Sequence, residues 1–199
     1  MLTLPGLRLH GPVLVHGRVL LRRPAFSDHA AWAALRAESR DFLEPWEPEW
    51  PPDDLTRLAW KERMRRYRAD VSQGTGMPFF IFIDGGAVLA GGINIGHIRR
   101  GVAQSGQIGY WMGARHAGQG LMAEALGALI PHAFGELGLH RLEAACIPDN
   151  RRSVGVLEKA GFQREGLLRS YLRIAGEWRD HLLYARINDG AKTSGAWDG

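Results

Sequence analysis

The chain has 199 residues, 45% of them apolar and 23% charged, with a formal net charge of +4. This is the size and composition of one ordinary globular domain with room for a real core, not of a repeat array or a disordered tail. No apolar run reaches the ~18–20 residues of a membrane span, the lone Cys146 excludes an internal disulfide framework, and the positive balance fits an anionic ligand or partner.

Met1 to Pro12 shows no basic-then-apolar-then-small targeting pattern, and the single cysteine reads as a cytoplasmic compartment. Gly17 to Arg22 alternates like a strand and ends before Pro24. Ser27 or Asp28, with Ser27 preferred, caps a helix carrying Ala31, Trp32, Leu35 and Arg36. Phe42-Leu-Glu-Pro-Trp-Glu-Pro-Glu-Trp-Pro-Pro52 follows, and its prolines forbid regular helix or central strand. Its tryptophans and glutamates read either as a rigid linker plugging the core or as a lip offering carboxylates and aromatic faces to a cation. Asp54 to Val71 forms a helix capped by Asp53 or Asp54, with Arg57, Arg63, Arg65, Arg66 and Arg68 on a solvated face. Phe79 to Ile83 is a buried strand, Asp84-Gly85-Gly86 a hairpin turn, and Val88 to Ile98 the returning strand, with a bulge or bend at Gly91-Gly92.

Gln107 to Leu137 carries the chemistry. Ile108, Tyr110 and Met112 alternate with Gln107, Gly109 and Trp111 as in a strand. From Leu121 apolar residues recur at three- and four-residue steps to Leu137, which predicts a helix stopped by Gly138. Pro131 removes the N–H that would reach Gly127, so a kink is expected there. Between strand and helix lies Arg115-x-x-Gly118-x-Gly120. Glycines before a helix N-terminus let a ligand approach free backbone N–H groups at the positive end of the dipole, and phosphate is the natural guest. The turn fits neither G-x-G-x-x-G nor G-x-x-x-x-G-K-[ST]. Beyond it, His140 to Ile147 is a strand, and Asp149 or Asn150 caps a short helix ending at Gly161. Phe162 to Leu167 and Trp178 to Ile187 close the sheet around a turn at Ala175-Gly176. One domain over residues 13–187 is expected, with 188–199 a flexible tail.

Arg-x-x-Gly-x-Gly after Ile108-Gly-Tyr-Trp111 resembles the pyrophosphate loop of the GNAT acyltransferases. Within them the chain is similar to the ribosomal-protein-alanine N-acetyltransferases. The likeness rests on Phe42-Leu-Glu-Pro-Trp-Glu-Pro48, Gly118-Gln-Gly-Leu-Met-Ala-Glu-Ala-Leu126, Asn150-Arg-Arg-Ser153 with Gly161-Phe162, and Gly176-Glu-Trp-Arg-Asp-His181. The resemblance implies an α/β (α+β) GNAT fold: a single mixed, mostly antiparallel twisted sheet, helices on both faces, and a splayed central strand pair holding acetyl-CoA. It implies an acetyl-CoA-dependent N-acetyltransferase acting on the N-terminal alanine of a small-subunit ribosomal protein. By the same resemblance Tyr110, Trp111, Met112, Arg115, His116, Ala117, Gly118, Gln119, Gly120, Leu121, Asn150 and Ser153 hold acetyl-CoA. The Trp111 or Met112 N–H polarises the thioester carbonyl. Ser153 and Glu165 are the catalytic pair, and Glu44, Trp46, Glu47 and Tyr171 meet the acceptor.

An α-amine has an ordinary pKa of ~7.7–8.0 against ~10.4 for lysine, so it needs little help to lose its proton. Many relatives carry Glu where this chain has Gln107, which cannot accept a proton usefully. His132, His140 and His181 lack metal-ligand spacing, so no metal is expected. Acetylation of a small-molecule amine on the same fold is the alternative. A non-catalytic ribosome- or RNA-binding protein is another, although interleaved RNA-stacking aromatics are absent and no specific nucleic-acid or membrane binding is expected. The expected assembly is a monomer or weak homodimer.

Overall fold

A computed structural model of the chain describes residues 11–190. Among the described residues, eight strands form one sheet in the order β1-β2-β3-β4-β5-β6-β8-β7. They are β1 (Val13–His16), β2 (Val19–Arg22), β3 (Met77–Ile83), β4 (Val88–Arg99), β5 (Ser105–Met112), β6 (Arg141–Cys146), β7 (Gln163–Ile174) and β8 (Glu177–Ile187). The helices are α1 (His29–Glu38), α2 (Arg40–Leu43), α3 (Arg57–Gln73), α4 (Leu121–Phe134) and α5 (Arg151–Lys159). Every ladder is antiparallel except β5–β6, the pair joined by the α4 crossover. This is the mixed, mostly antiparallel sheet anticipated above.

Strand β3 shows why helices cover both faces. Successive side chains of a strand point to opposite sides. Phe79 and Ile81 join a core with Leu121, Leu126 and Leu129 of α4 and Leu157 of α5. Phe80 and Phe82 join a second core with Trp32 of α1 and Trp60 and Met64 of α3. A strand buried on both faces reads as an unbroken apolar run, as Phe79–Ile83 does. The Trp32 and Trp60 rings, 4.9 Å apart, lock α1 to α3.

Several boundaries differ from the sequence reading. The strand expected at Gly17–Arg22 is the second arm of a β1–β2 hairpin turning at Gly17-Arg18. Neither Ser27 nor Asp28 caps α1 through its side chain. Asp28 sits at the cap position, but its carboxylate accepts from Ala25 N and both terminal nitrogens of Arg22. Thr56, not Asp53 or Asp54, caps α3 by accepting from Ala59 N; Asp54 is taken by Arg63 at 2.8 Å. The bulge expected at Gly91-Gly92 lies beside Ala90, where the β3–β4 register shifts. Helix α4 runs uninterrupted through Pro131 and ends at Phe134, short of Leu137. From there Leu137 N bonds His132 O and Leu139 N bonds Ala133 O, winding the chain out through Gly138 at φ +62°. Of the expected tail, residues 191–199 lie outside the described residues.

Candidate active site

The β5–β6 ladder stops at the Gln107–Glu143 pair. Beyond it the two strands part, and a cavity of about 470 Å³ opens between them. Strand amides alternate in direction. Gly113 N donates to Ala90 O of β4, so the N–H groups of Tyr110 and Met112 point the other way, into the slot. That favours Met112 over Trp111 as the donor able to polarise a thioester carbonyl.

One end of the slot is the turn before α4. Gly118 and Gly120 have φ of +76° and +80°, a conformation a side chain would strain. Among the described residues the N–H groups of Gly118 to Ala123 make no hydrogen bond. They form a row of free donors at the positive end of a 14-residue helix. The turn is held from outside. Arg18 donates to Gln119 O and pairs with Glu124, and Ala114 N donates to buried Ser39 Oγ at 2.9 Å. His116 is buried against the slot and accepts from Arg115 Nε at 3.0 Å. Burial, with Arg115 beside it, holds its pKa below the usual imidazole range. The ring is therefore neutral at pH 7.

The other wall is α5. Asn150 Oδ1 accepts from Ser153 N, capping the helix at the slot. Tyr110 reaches across from β5 and its hydroxyl lies 2.6 Å from Ser153 Oγ. Burial pushes the Tyr110 pKa up, so the phenol keeps its proton, and its hydroxyl and that of Ser153 form a hydrogen-bonded pair on the wall of the slot. Cys146 also lines the slot, with its thiol pKa raised by burial.

The opposite face of the sheet carries a groove of about 860 Å³, lined by Tyr67 and Asp70 of α3, Asn94 of β4, Gln107 of β5 and Tyr171 of β7. Gln107 Nε2 donates to the Tyr171 hydroxyl at 3.4 Å, just where the slot begins. Ala145 lines both the groove and the slot. The two faces meet at the splay.

Most expected donor-site residues come together. Tyr110, Trp111, Met112, His116, Ala117, Gly118, Gly120, Leu121, Asn150 and Ser153 all line the slot. Arg115 and Gln119 stand at its rim: Arg115 pairs with Glu38, and the Gln119 amide donates to Arg115 O. The catalytic pair does not assemble. Glu165 lies on exposed β7, bidentate to Arg141 and away from the slot. That hydrogen-bonded ion pair holds its pKa below the usual carboxylate range, which makes it a poorer base.

The expected acceptor carboxylates are also spent. Glu47 is bidentate to buried Arg36 at 2.8 and 2.6 Å and accepts from Trp50 Nε1, leaving little for a substrate. Glu44 pairs with Arg40 one turn away, outside the slot. Trp46 does line the slot, whereas Trp50 is buried, so the Pro-rich segment is partly core and partly lip. Sequence reasoning did not single out Asn94, Cys146 or His181 for the site. Strand alternation turns Cys146 to the α5 side of β6, but nothing local marks Asn94.

A family model for the acetyltransferase (GNAT) domain matches residues 18–163. The chain belongs to the GNAT acetyltransferases. It is an N-acetyltransferase, and its acetyl donor is acetyl-CoA, for which the row of free amides is suited. The chain is 35% identical to the probable N-acetyltransferase YjcK of Bacillus subtilis, over 88% of this chain and 97% of that protein. It is 36% identical to the [ribosomal protein uS5]-alanine N-acetyltransferase of Escherichia coli, over 79% of this chain and 82% of the relative. Among solved structures, Mycobacterium smegmatis RimJ in complex with CoA-disulfide superposes with a TM-score of 0.83 at 37% identity. That match covers 92% of this chain and 89% of RimJ.

Proposed function

We propose that this enzyme acetylates the N-terminal α-amine of a protein, and that the acceptor is a small-subunit ribosomal protein beginning with alanine. The similarity to the uS5-alanine enzyme and to RimJ supports the acceptor class, and such an acceptor goes with a cytoplasmic enzyme. The observation that carries the reading is the acceptor groove. It spans α3 and strands β3 to β8 and meets the slot only at the splay. An extended chain end can lie along such a groove and present one terminal amine to the thioester. Asn94, Gln107 and Tyr171 line it with neutral hydrogen-bonding groups suited to a peptide backbone.

In the reaction the free amides before α4 bind the pyrophosphate and the free edge of β5 pairs with the pantetheine arm. The Met112 N–H polarises the carbonyl as the amine attacks. Collapse of the tetrahedral intermediate breaks the C–S bond, and the Tyr110–Ser153 pair delivers a proton to the departing sulfur.

The test compares peptides beginning Ala, Ser and Phe with an Nα-blocked lysine peptide and an aminoglycoside, at equal acetyl-CoA. Ala-first peptides should show the highest kcat/KM. An aminoglycoside favoured tenfold or more would make the groove a small-molecule pocket and replace this reading.

A further inference from the structure

We propose that His181 is the group that takes the proton from the acceptor amine. Its position is the first reason. His181 lies on β8, 3% exposed, and lines the slot together with Trp111, Met112 and Ser153. Its ring packs edge-on against Tyr171, with centroids 5.7 Å apart. Tyr171 belongs to the groove on the acceptor face. The imidazole thus stands between the thioester slot and the route by which an amine arrives.

The second reason is its tautomer. His181 Nδ1 lies 3.0 Å from the Arg179 carbonyl oxygen. A carbonyl only accepts, so Nδ1 carries the hydrogen and Nε2 keeps its lone pair. Among the described residues the only hydrogen bond of the His181 ring is the one at Nδ1. A base is held in this way, with one nitrogen tethered by the backbone and the other left with its lone pair on a ring that lines the slot.

The third reason is that Glu47, Glu143 and Glu165 are engaged elsewhere. Glu47 is held by Arg36 and Trp50, Glu143 by Arg99 and Arg141, and Glu165 by Arg141. Gln107 supplies no base. The remaining charged groups lining the slot are Arg151, Arg152 and Lys159, all cationic, with His116 neutral in the phosphate turn.

The step balances simply. The bound ammonium gives one proton to His181 Nε2 and becomes a neutral amine. That nitrogen forms a bond to the carbonyl carbon and the C–S bond breaks; the Tyr110–Ser153 pair gives one proton to the departing sulfur, and the second amine proton replaces it on that pair. The imidazolium then returns its proton to water. The role holds for any amine acceptor, so it goes beyond the choice of a protein N-terminus.

The test uses His181→Asn, whose amide can still donate to the Arg179 carbonyl, and His181→Ala. A base near neutrality contributes ~10²–10⁴-fold. Both variants should therefore lose at least about 100-fold in kcat while acetyl-CoA affinity stays within about threefold. Added imidazole should restore part of the His181→Ala rate. Rates are read with an alanyl peptide and with a simple primary amine. A preference of the wild type for the simple amine would sink the N-terminal reading alone. The base role falls if His181→Asn keeps more than about a fifth of the rate, set against the expected loss. It falls equally if both variants lose acetyl-CoA binding, or if imidazole restores nothing, since the ring would then be packing.

Discussion

The two halves of this active site are made of different material. The donor half is mostly backbone: the free amides of Gly118 to Ala123, the slot-facing N–H groups of β5 and the capped start of α5. The proposed acceptor half is side chains gathered from α1, the Pro-rich segment, α3 and six strands. Backbone sites are encoded locally, because a glycine at positive φ or a capping Asn announces itself within a few residues. Side-chain sites depend on pairings between distant elements. The halves should therefore break differently.

The donor half should fail at a single point. Gly118→Glu places a side chain on backbone at φ +76°, where nothing lies within 4 Å of the new Cβ, so no clash unfolds the protein. The strain is of order 1–3 kcal/mol, and the new carboxylate opposes the phosphates at the row of amides. Acetyl-CoA affinity should fall by at least about 100-fold, the equivalent of ~2.7 kcal/mol. Calorimetry on the folded variant, showing unchanged affinity, would remove the turn from the site.

The acceptor half should fail through its keystone. Arg36 is bidentate to Glu47, lies over the Trp50 ring at 3.9 Å and faces Trp111 at 5.1 Å. Glu47 O in turn accepts from Ala175 N, which ties the Pro-rich segment to the β7–β8 turn. Removing one partner of a buried pair typically costs ~3–5 kcal/mol. The Glu47 side chain is 20% exposed, so about 2–3 kcal/mol is expected for Arg36→Leu. Urea unfolding should show that loss. Kinetics should show a raised acceptor KM with acetyl-CoA binding little changed. Equal loss of both affinities would mean the halves are one mechanical unit.

The same contrast explains what the sequence revealed. The phosphate turn and the cap at Asp149 or Asn150 were readable because period, glycine and cap all act over a few residues, whereas the slot between the splayed strands came only from the family resemblance. The β1–β2 hairpin was half missed because its first arm, Val13–His16, is only four residues long, too short for a period to show. Glu47 and Glu165 read as free carboxylates because their arginines lie 11 and 24 residues away. His181 was read only for metal-ligand spacing, since its contact with Tyr171 exists only once β7 and β8 pair. Folding decides which charges are already spoken for, and that is the information a one-dimensional reading lacks.

The smallest expected effect is the sharpest check on that lesson. Glu165→Gln removes a carboxylate once expected to be the base and found to be a surface partner of Arg141. Its rate at pH 7 should stay within about twofold of wild type, against the ~10²–10⁴-fold a true base contributes. The effect should appear in stability instead, and on the acid side. Arg141 lowers the folded-state pKa of Glu165, so between that value and the unfolded value of ~4.3 the unfolded chain binds more protons. Stability from the pair is therefore fully present above the unfolded value and is lost as pH falls through the folded one. Because the Glu165 side chain is 40% exposed, the difference should be small and weakened by salt. Urea midpoints for wild type and variant should differ slightly at pH 7 and converge as the pH drops below about 4. A tenfold or greater fall in kcat would instead return Glu165 to the catalytic machinery and undo the assignment made to His181.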